Sequence, residues 1–215
     1  NNGSTSGTVS YAAGPSTAHY ARICAAFTNN GNTGHDYFSI PSHAGNSFSG
    51  SYTLEMWAYL AAGGAATSYQ TLVCKGTVLN NAFSYWLGVN KQSGKLRFAP
   101  TGSWASAIES TDPLPSGQWV HVAATYTYGG NTGTARVYVN GVLKGSGVFG
   151  GAAPFSQSAL LVATSDPQFP PAQAHALAGR IDELRLWDVA RSDADIANCH
   201  RLEIDGHVPG LTASY

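Results

Sequence analysis

The chain has 215 residues and a formal net charge of −1, and only 11% of it is Asp, Glu, Lys or Arg, against roughly 25% in ordinary soluble domains. No basic stripe is present to neutralise phosphates, so nucleic acid is excluded as a partner, and no Lys/Arg cluster suits an anionic membrane. No apolar run reaches the ~18 residues needed for membrane insertion, and the 43% apolar content is that of a globular core under a surface of Ser, Thr, Asn, Gly and Tyr.

Residues 1–16, rich in Asn, Gly, Ser, Thr and Ala, read as a flexible leader or a loose first strand. Residues 17–215 read as one domain, with short alternating runs broken by Gly, Asn, Pro and Ser, the pattern of an all-β chain. Tyr37–Ile40 is the first clear strand. In Tyr52–Leu60, Leu54, Met56, Ala58 and Leu60 alternate with Thr53, Glu55, Trp57 and Tyr59. Gln70–Lys75 and Phe83–Val89 follow, and Lys95–Ala99 pairs with the latter across a turn at Lys91–Gly94. Trp119–Tyr126 and Thr134–Val139 flank a turn at Tyr128–Gly133. Asn140-Gly141 signals a tight hairpin leading into Val142–Gly145. Ala159–Thr164 and Gly179–Trp187 complete the strands, with the Pro-rich loop Asp166–His175 between them. Helix is scarce: Ser192-Asp193-Ala194-Asp195-Ile196 reads as one capped turn. The fold class is therefore an antiparallel two-sheet β-sandwich with very little helix.

The start at Asn1 and the single methionine, Met56, read as a mature secreted chain released from its signal peptide. Asn2-Gly3-Ser4 is a weak glycosylation signal. Of the three cysteines, Cys74 lies in an apolar strand and reads as a buried thiol. Cys24 and Cys199 lie near the two ends of the fold. In a sandwich whose first and last strands are neighbours they are expected to form a disulfide.

Several segments in order resemble the laminin-G-like jelly-roll domains of the concanavalin A-like lectin/glucanase superfamily. They are His35-Asp36-Tyr37-Phe38-Ser39-Ile40-Pro41, Tyr52-Thr53-Leu54-Glu55-Met56-Trp57 and Gln70-Thr71-Leu72-Val73-Cys74-Lys75-Gly76. Gly117-Gln118-Trp119-Val120-His121-Val122-Ala123-Ala124-Thr125-Tyr126 follows, then the hairpin Val137-Tyr138-Val139-Asn140-Gly141. The closing strand is Gly179-Arg180-Ile181-Asp182-Glu183-Leu184-Arg185-Leu186-Trp187. The resemblance spans about residues 35–200 and implies a jelly roll. It narrows function only to a class, because the family holds lectins, carbohydrate-binding modules, adhesion modules and protein-recognition modules, and related sandwiches host hydrolases and lyases.

The resemblance also implies that Trp57, Trp119 and Trp187 pack the core and that His121 is framework. It implies a structural calcium ion between the end strands, held by Asp182 and Asp36 with Gly179 beside them, since calcium takes hard oxygen ligands. The dense acidic loop through which pentraxins bind paired calcium ions is missing here.

Enzyme chemistry finds little support in the residues. Glycoside cleavage usually needs two carboxyl groups flanking one bond, and the E-x-D-x-x-E segment of the glucanase relatives is missing. Asp182 and Glu183 alternate to opposite strand faces. Gln118 and His121, three apart, do the same, which weakens a lyase reading. No G-x-S-x-G elbow occurs, and Cys199-His200 with His207 has poor zinc spacing.

Binding is the stronger expectation. Trp86 and Trp104 lie outside the resembling motifs. Trp86 shares a strand face with Ser84 and Gly88, away from the apolar face of Tyr85, Leu87 and Val89, so it is expected to point outward. A solvent-facing indole stacks on the apolar face of a sugar ring while nearby polar groups bond its hydroxyls. The polar partners expected from the loops are Tyr128 and Asn131 on one turn, and Asp166, Gln168, Phe169 and His175 on the Pro-rich loop. The leading expectation is a secreted glycan-binding protein or module that works alone, as an oligomer or within a larger protein. An adhesion module and a lyase or hydrolase with a nonstandard site are the alternatives.

Overall fold

A computed structural model describes residues 4–6, 10–13, 23–29, 36–62, 68–169, 175–202, 204 and 208–215. The elements in chain order are β1 (Ser4–Ser6), β2 (Ser10–Ala13), β3 (Ile23–Thr28), β4 (Tyr37–Ile40), β5 (Tyr52–Leu60), β6 (Tyr69–Gly76), β7 (Phe83–Asn90) and β8 (Lys95–Ala99). They continue with β9 (Ile108–Pro113), β10 (Trp119–Tyr128), β11 (Thr132–Val139), β12 (Val142–Gly150), β13 (Leu160–Val162), β14 (Ala178–Trp187), α1 (Asp193–Cys199) and β15 (Leu211–Ser214). Seven strands form one sheet in the order β1-β4-β13-β6-β7-β8-β9. The other runs β12-β11-β10-β5-β14-β3-β2, with β15 added alongside β14. Every pairing is antiparallel within these sheets. This is the jelly-roll sandwich expected from the sequence. Parts of the presumed leader supply β1 and β2, one on each sheet; Asn2, His35 and His207 lie outside the described residues.

Alternation decides which face each strand buries. Leu54, Met56, Ala58 and Leu60 of β5 face Leu72, Leu87 and Phe98 across the sandwich in one continuous core, and each of the leucines, the methionine and the phenylalanine contributes about 1.5–3 kcal/mol by leaving water. At one end Phe48 stacks on Tyr52 with ring centres 5.1 Å apart. β6 departs from strict alternation. Its register against β7 shifts between Thr71 and Val73, so Leu72 and Val73 both reach the core, while Thr71 and Cys74 share the outer face. A bulge of this kind re-aims side chains without ending the strand.

Glycine matters where strands crowd. A Cβ at Gly179 would collide with the Tyr59 carbonyl on neighbouring β5, so this position sets the close approach of β14 to β5. α1 begins with the Ser192 side chain accepting a bond from the Asp195 N–H and the Asp195 side chain accepting one from the Ser192 N–H, a reciprocal cap that satisfies two backbone donors.

Candidate functional site: the outer face of the seven-stranded sheet

The floor of the site is Trp86, in the middle of β7. The next residue on its face is Gly88, where a Cβ would run into the indole; the glycine gives the ring its bed. Trp86 Nε1 donates to Thr71 Oγ1 at 3.0 Å. Trp86 thus points away from the core as its position in the strand implies, but it is 0% exposed. The expectation of a solvent-facing Trp86 is corrected: the rings of Trp104 and Tyr69 pack against it.

The first cover is Trp104. It rides on a single 3-10 turn, Trp104–Ser106, between β8 and β9, and Ser103 starts that turn by accepting a bond from the Ala105 N–H. The Trp104 ring meets Trp86 edge-on at 4.9 Å and stacks on Tyr69 at 5.4 Å with planes 15° apart. Tyr69 meets Trp86 at 5.6 Å. His175 closes the group, edge-on to Tyr69 at 5.3 Å. Trp104, Tyr69 and His175 are all half-buried, so each keeps part of its ring in contact with solvent.

His175 has a left-handed backbone, φ 53°, a conformation that costs a residue other than glycine about 1 kcal/mol or more. Thr71 N–H holds it by bonding its carbonyl at 2.7 Å, and Ser165 Oγ lies 3.3 Å from its Nδ1. Burial pushes the imidazole below its ordinary range, against the opposing pull of Asp166.

Charged groups border the rings on β8 and β9. The Arg97 guanidinium lies 5.6 Å from the Tyr69 ring centre and 5.8 Å from that of Trp104. It donates to Glu109 at 3.0 Å and to the Trp104 carbonyl at 3.3 Å. Asn90 Nδ2 donates to the same Glu109 oxygen at 2.9 Å. Burial alone would raise the Glu109 pKa, but the bonds from Asn90 and Arg97 hold it below the usual carboxylate range.

Of the expected ligand residues, Trp86, Trp104 and His175 come together here. Asp166 lies at the base of the Pro-rich loop, buried, accepting from Thr77 Oγ1 at 2.8 Å and the Gln168 N–H at 3.3 Å. Gln168 is exposed and Phe169 half-buried next to it; residues 170–174 lie outside the described residues. Tyr128 and Asn131 sit elsewhere, on the β10–β11 turn of the other sheet, where Tyr128 stacks on Tyr126 at 6.3 Å. Sequence reasoning missed Tyr69, Arg97 and Glu109. Arg97 was within reach, because Lys95 and Arg97 alternate with the core residues Leu96 and Phe98. Tyr69 was missed because the expected strand begins at Gln70, one residue after β6 starts.

The outer face of the eight-stranded sheet carries similar groups in a sealed setting. Glu55 is 0% exposed. Both its oxygens accept from Arg191 at 2.9 Å, and Oε1 also accepts from Trp187 Nε1 at 3.0 Å. Arg185 stands 3.7 Å away. Next to them His121 meets Trp57 at 5.6 Å and His200 at 5.4 Å. Burial, followed by the neighbouring His200, Arg185 and Arg191, pushes the His121 pKa down to about 3. Glu55 lies 3.8 Å from its Nε2, but that carboxylate is already engaged by the guanidinium groups and does not keep the ring protonated.

Two other expectations are corrected. Asp36 accepts from the Thr28 N–H and hydroxyl at 2.8 and 2.7 Å, at the end of β3 that pairs with Ala178. Asp182 lies four residues further along β14, about 13 Å away at strand rise, so the expected meeting of these two carboxylates does not occur. Gly179 acts in strand packing, as its contact with Tyr59 shows. Among the described residues no group of three or more His, Cys, Asp and Glu side chains is placed to hold a metal ion. No disulfide joins Cys24 and Cys199. Cys24 is on β3, while His200, next to Cys199, packs over Trp57 on β5 and His121 on β10; β14 separates β3 from β5, beyond the ~7 Å Cα span of a disulfide.

The comparison with protein families is decisive for kinship. The model of the concanavalin A-like lectin/glucanases superfamily matches residues 31–197. The chain belongs to this superfamily. Among curated proteins no significant match is found. Among solved superfamily-like structures, a Bacteroides ovatus protein assigned provisionally to carbohydrate binding is 22% identical, with a TM-score of 0.66; the match covers 89% of this chain and 50% of that one. This chain therefore spans about half the length of that protein. Domain 4 of an extracellular arabinanase from Geobacillus stearothermophilus, solved with arabinotriose, is 19% identical with a TM-score of 0.60, covering 91% and 86%. A heptameric pentraxin from Limulus polyphemus is 16% identical with a TM-score of 0.54, covering 76% and 81%.

The concanavalin A-like framework also places the motif tryptophans. Trp187 is buried against Glu55 and Arg191. Trp57 and Trp119 are half-buried on the outer face, against His121 and Tyr59. None of the three enters the central core, which corrects that expectation: odd-numbered positions of β5 and β10 point away from it.

Proposed function

We propose that this chain is a carbohydrate-binding module whose ligand rests on the Trp104–Tyr69 pair. The observation that carries the reading is the half-buried stack of Trp104 and Tyr69 over the fully buried Trp86. Half-buried flat rings suit the apolar face of a sugar ring, and rings fixed by their neighbours lose little entropy on binding. Arg97 and Glu109 supply donors and acceptors at the edge of the rings, in the usual economy of an apolar platform with a few placed polar groups. The arabinotriose-bound domain and the Bacteroides protein give the superfamily context the same direction. The low charge of the chain suits an exported protein that meets uncharged polymers. Among the described residues no helix is long and apolar enough to cross a membrane.

The test is affinity electrophoresis in gels containing soluble plant and bacterial polysaccharides. The wild type is expected to be retarded by at least one, and Trp104→Ala to run freely while keeping native circular dichroism. Equal retardation of both forms would sink the assignment.

A further inference from the structure

We infer that Arg97 and Glu109 form a donor–acceptor pair that selects an uncharged saccharide by reading two adjacent hydroxyl groups beside the Trp104–Tyr69 platform. This rests on the proposed glycan-binding reading and adds the ligand class and the residues that set it.

Three observations lead there. The two side chains stand opposite each other on β8 and β9 in the register of the sheet, and both reach solvent, at 21% and 26% exposure. Their mutual bond and the Asn90 bond both fall on Glu109 Oε1. Among the described residues no bond falls on Glu109 Oε2, which leaves that oxygen for a ligand hydroxyl, next to guanidinium N–H groups that can donate to a second one. A hydroxyl both donates and accepts, so a vicinal diol meets a carboxylate and a guanidinium side by side. The pair is also pre-positioned, because the Trp104 carbonyl holds Arg97 at 3.3 Å on the same turn that presents the platform.

Charge decides the ligand class. Arg97 is matched by Glu109 at 3.0 Å. The remaining neighbours of opposite sign are Lys95, which acts on Glu109, and the buried Asp166, whose carboxylate is taken up by Thr77 and the Gln168 backbone. The guanidinium beside the rings is already matched by Glu109, and a ligand carboxylate would compete with Glu109 for Arg97 at a cost. A neutral sugar meets no such penalty.

The experiment is titration calorimetry on wild type, Trp104→Ala, Arg97→Lys and Glu109→Gln. The probes are neutral polysaccharides (arabinan, xylan, mixed-linkage glucan) and acidic ones (polygalacturonate, alginate), at low and high salt. The expected result is binding to a neutral polymer with little salt dependence, weakened about tenfold or more by Arg97→Lys and by Glu109→Gln. Glu109→Gln keeps the shape of the side chain, so its melting curve should stay close to wild type. Preference for an acidic polymer, or wild-type affinity in Glu109→Gln, overturns this inference and leaves the glycan-binding reading standing when Trp104→Ala has lost binding. A folded wild type that binds none of the polymers overturns both.

Discussion

The outer faces of the two sheets hold nearly the same chemistry and use it differently. On the seven-stranded sheet, Trp86, Trp104, Tyr69, His175, Arg97 and Glu109 gather with their upper members in partial contact with solvent. On the eight-stranded sheet, Trp187, Trp57, His121, Arg185, Arg191 and Glu55 gather with Glu55 at 0% and His121 at 1% exposure. The residues of the second group, Arg191 apart, fall inside the resembling motifs; those of the first fall outside them, with Tyr69 adjoining one. Residue type alone therefore does not mark a binding site. An indole, a guanidinium and a carboxylate sealed from water hold the fold together, and the same trio left open has free valences for a ligand.

The sharpest break of this comparison is Glu55→Ala. It leaves Arg185 and Arg191 facing each other in a dry enclosure and should cost about 3–5 kcal/mol of stability, read by urea unfolding. Glycan affinity of the folded fraction should stay at the wild-type level. An affinity loss matching the stability loss would show that the two faces are coupled.

Acid separates the faces next. The His121 pKa is about 3 in the folded chain against 6.5 for the free side chain. Between these values the unfolded chain binds the extra proton, so the stability this ring contributes is complete above pH 6.5 and is lost as pH falls towards 3. The loss is on the order of 3–5 kcal/mol, and His121→Phe should flatten that limb of the stability curve. A variant with the same acid slope as wild type would place the titrating group elsewhere.

On the open face, Trp104→Ala should reduce glycan affinity about 30- to 100-fold, the range of a central aromatic anchor. The smallest effect belongs to His175→Asn. Asparagine tolerates the left-handed backbone, so the loop is kept and only the ring edge is lost; affinity should fall by about threefold or less. A larger loss in calorimetry would promote His175 from neighbour to direct contact.

The sandwich was legible because alternation is a local signal: β5, β7, β8, β10 and β14 lie within two residues of their expected limits. β3, β9 and β15 were not, since short or polar runs such as Ile108–Pro113 take their strand character from the neighbours they pair with. The direction of Trp86 was legible from strand parity, and its burial was not, because the ring that covers it comes from a turn 18 residues away in sequence. Tyr69 shares its side of the sheet with Thr71 by ordinary alternation, but β6 begins one residue before the apolar run that marks it, so Tyr69 does not stand out in the sequence; Cys74 joins that face only through the register shift between Thr71 and Val73. The expected meeting of Asp36 and Asp182 failed on distance along β14, a quantity that the nearness of two strands does not supply.

The placement of Trp104 on a three-residue turn has a consequence for how such modules diversify. The anchor belongs to neither sheet, and the turn is tied down at its own ends by Ser103 and by the Ala107 N–H returning to the Trp104 carbonyl. Swapping those few residues changes the tool without rebuilding the handle. A chimera carrying the equivalent turn of another superfamily member should exchange sugar preference while melting as the parent does.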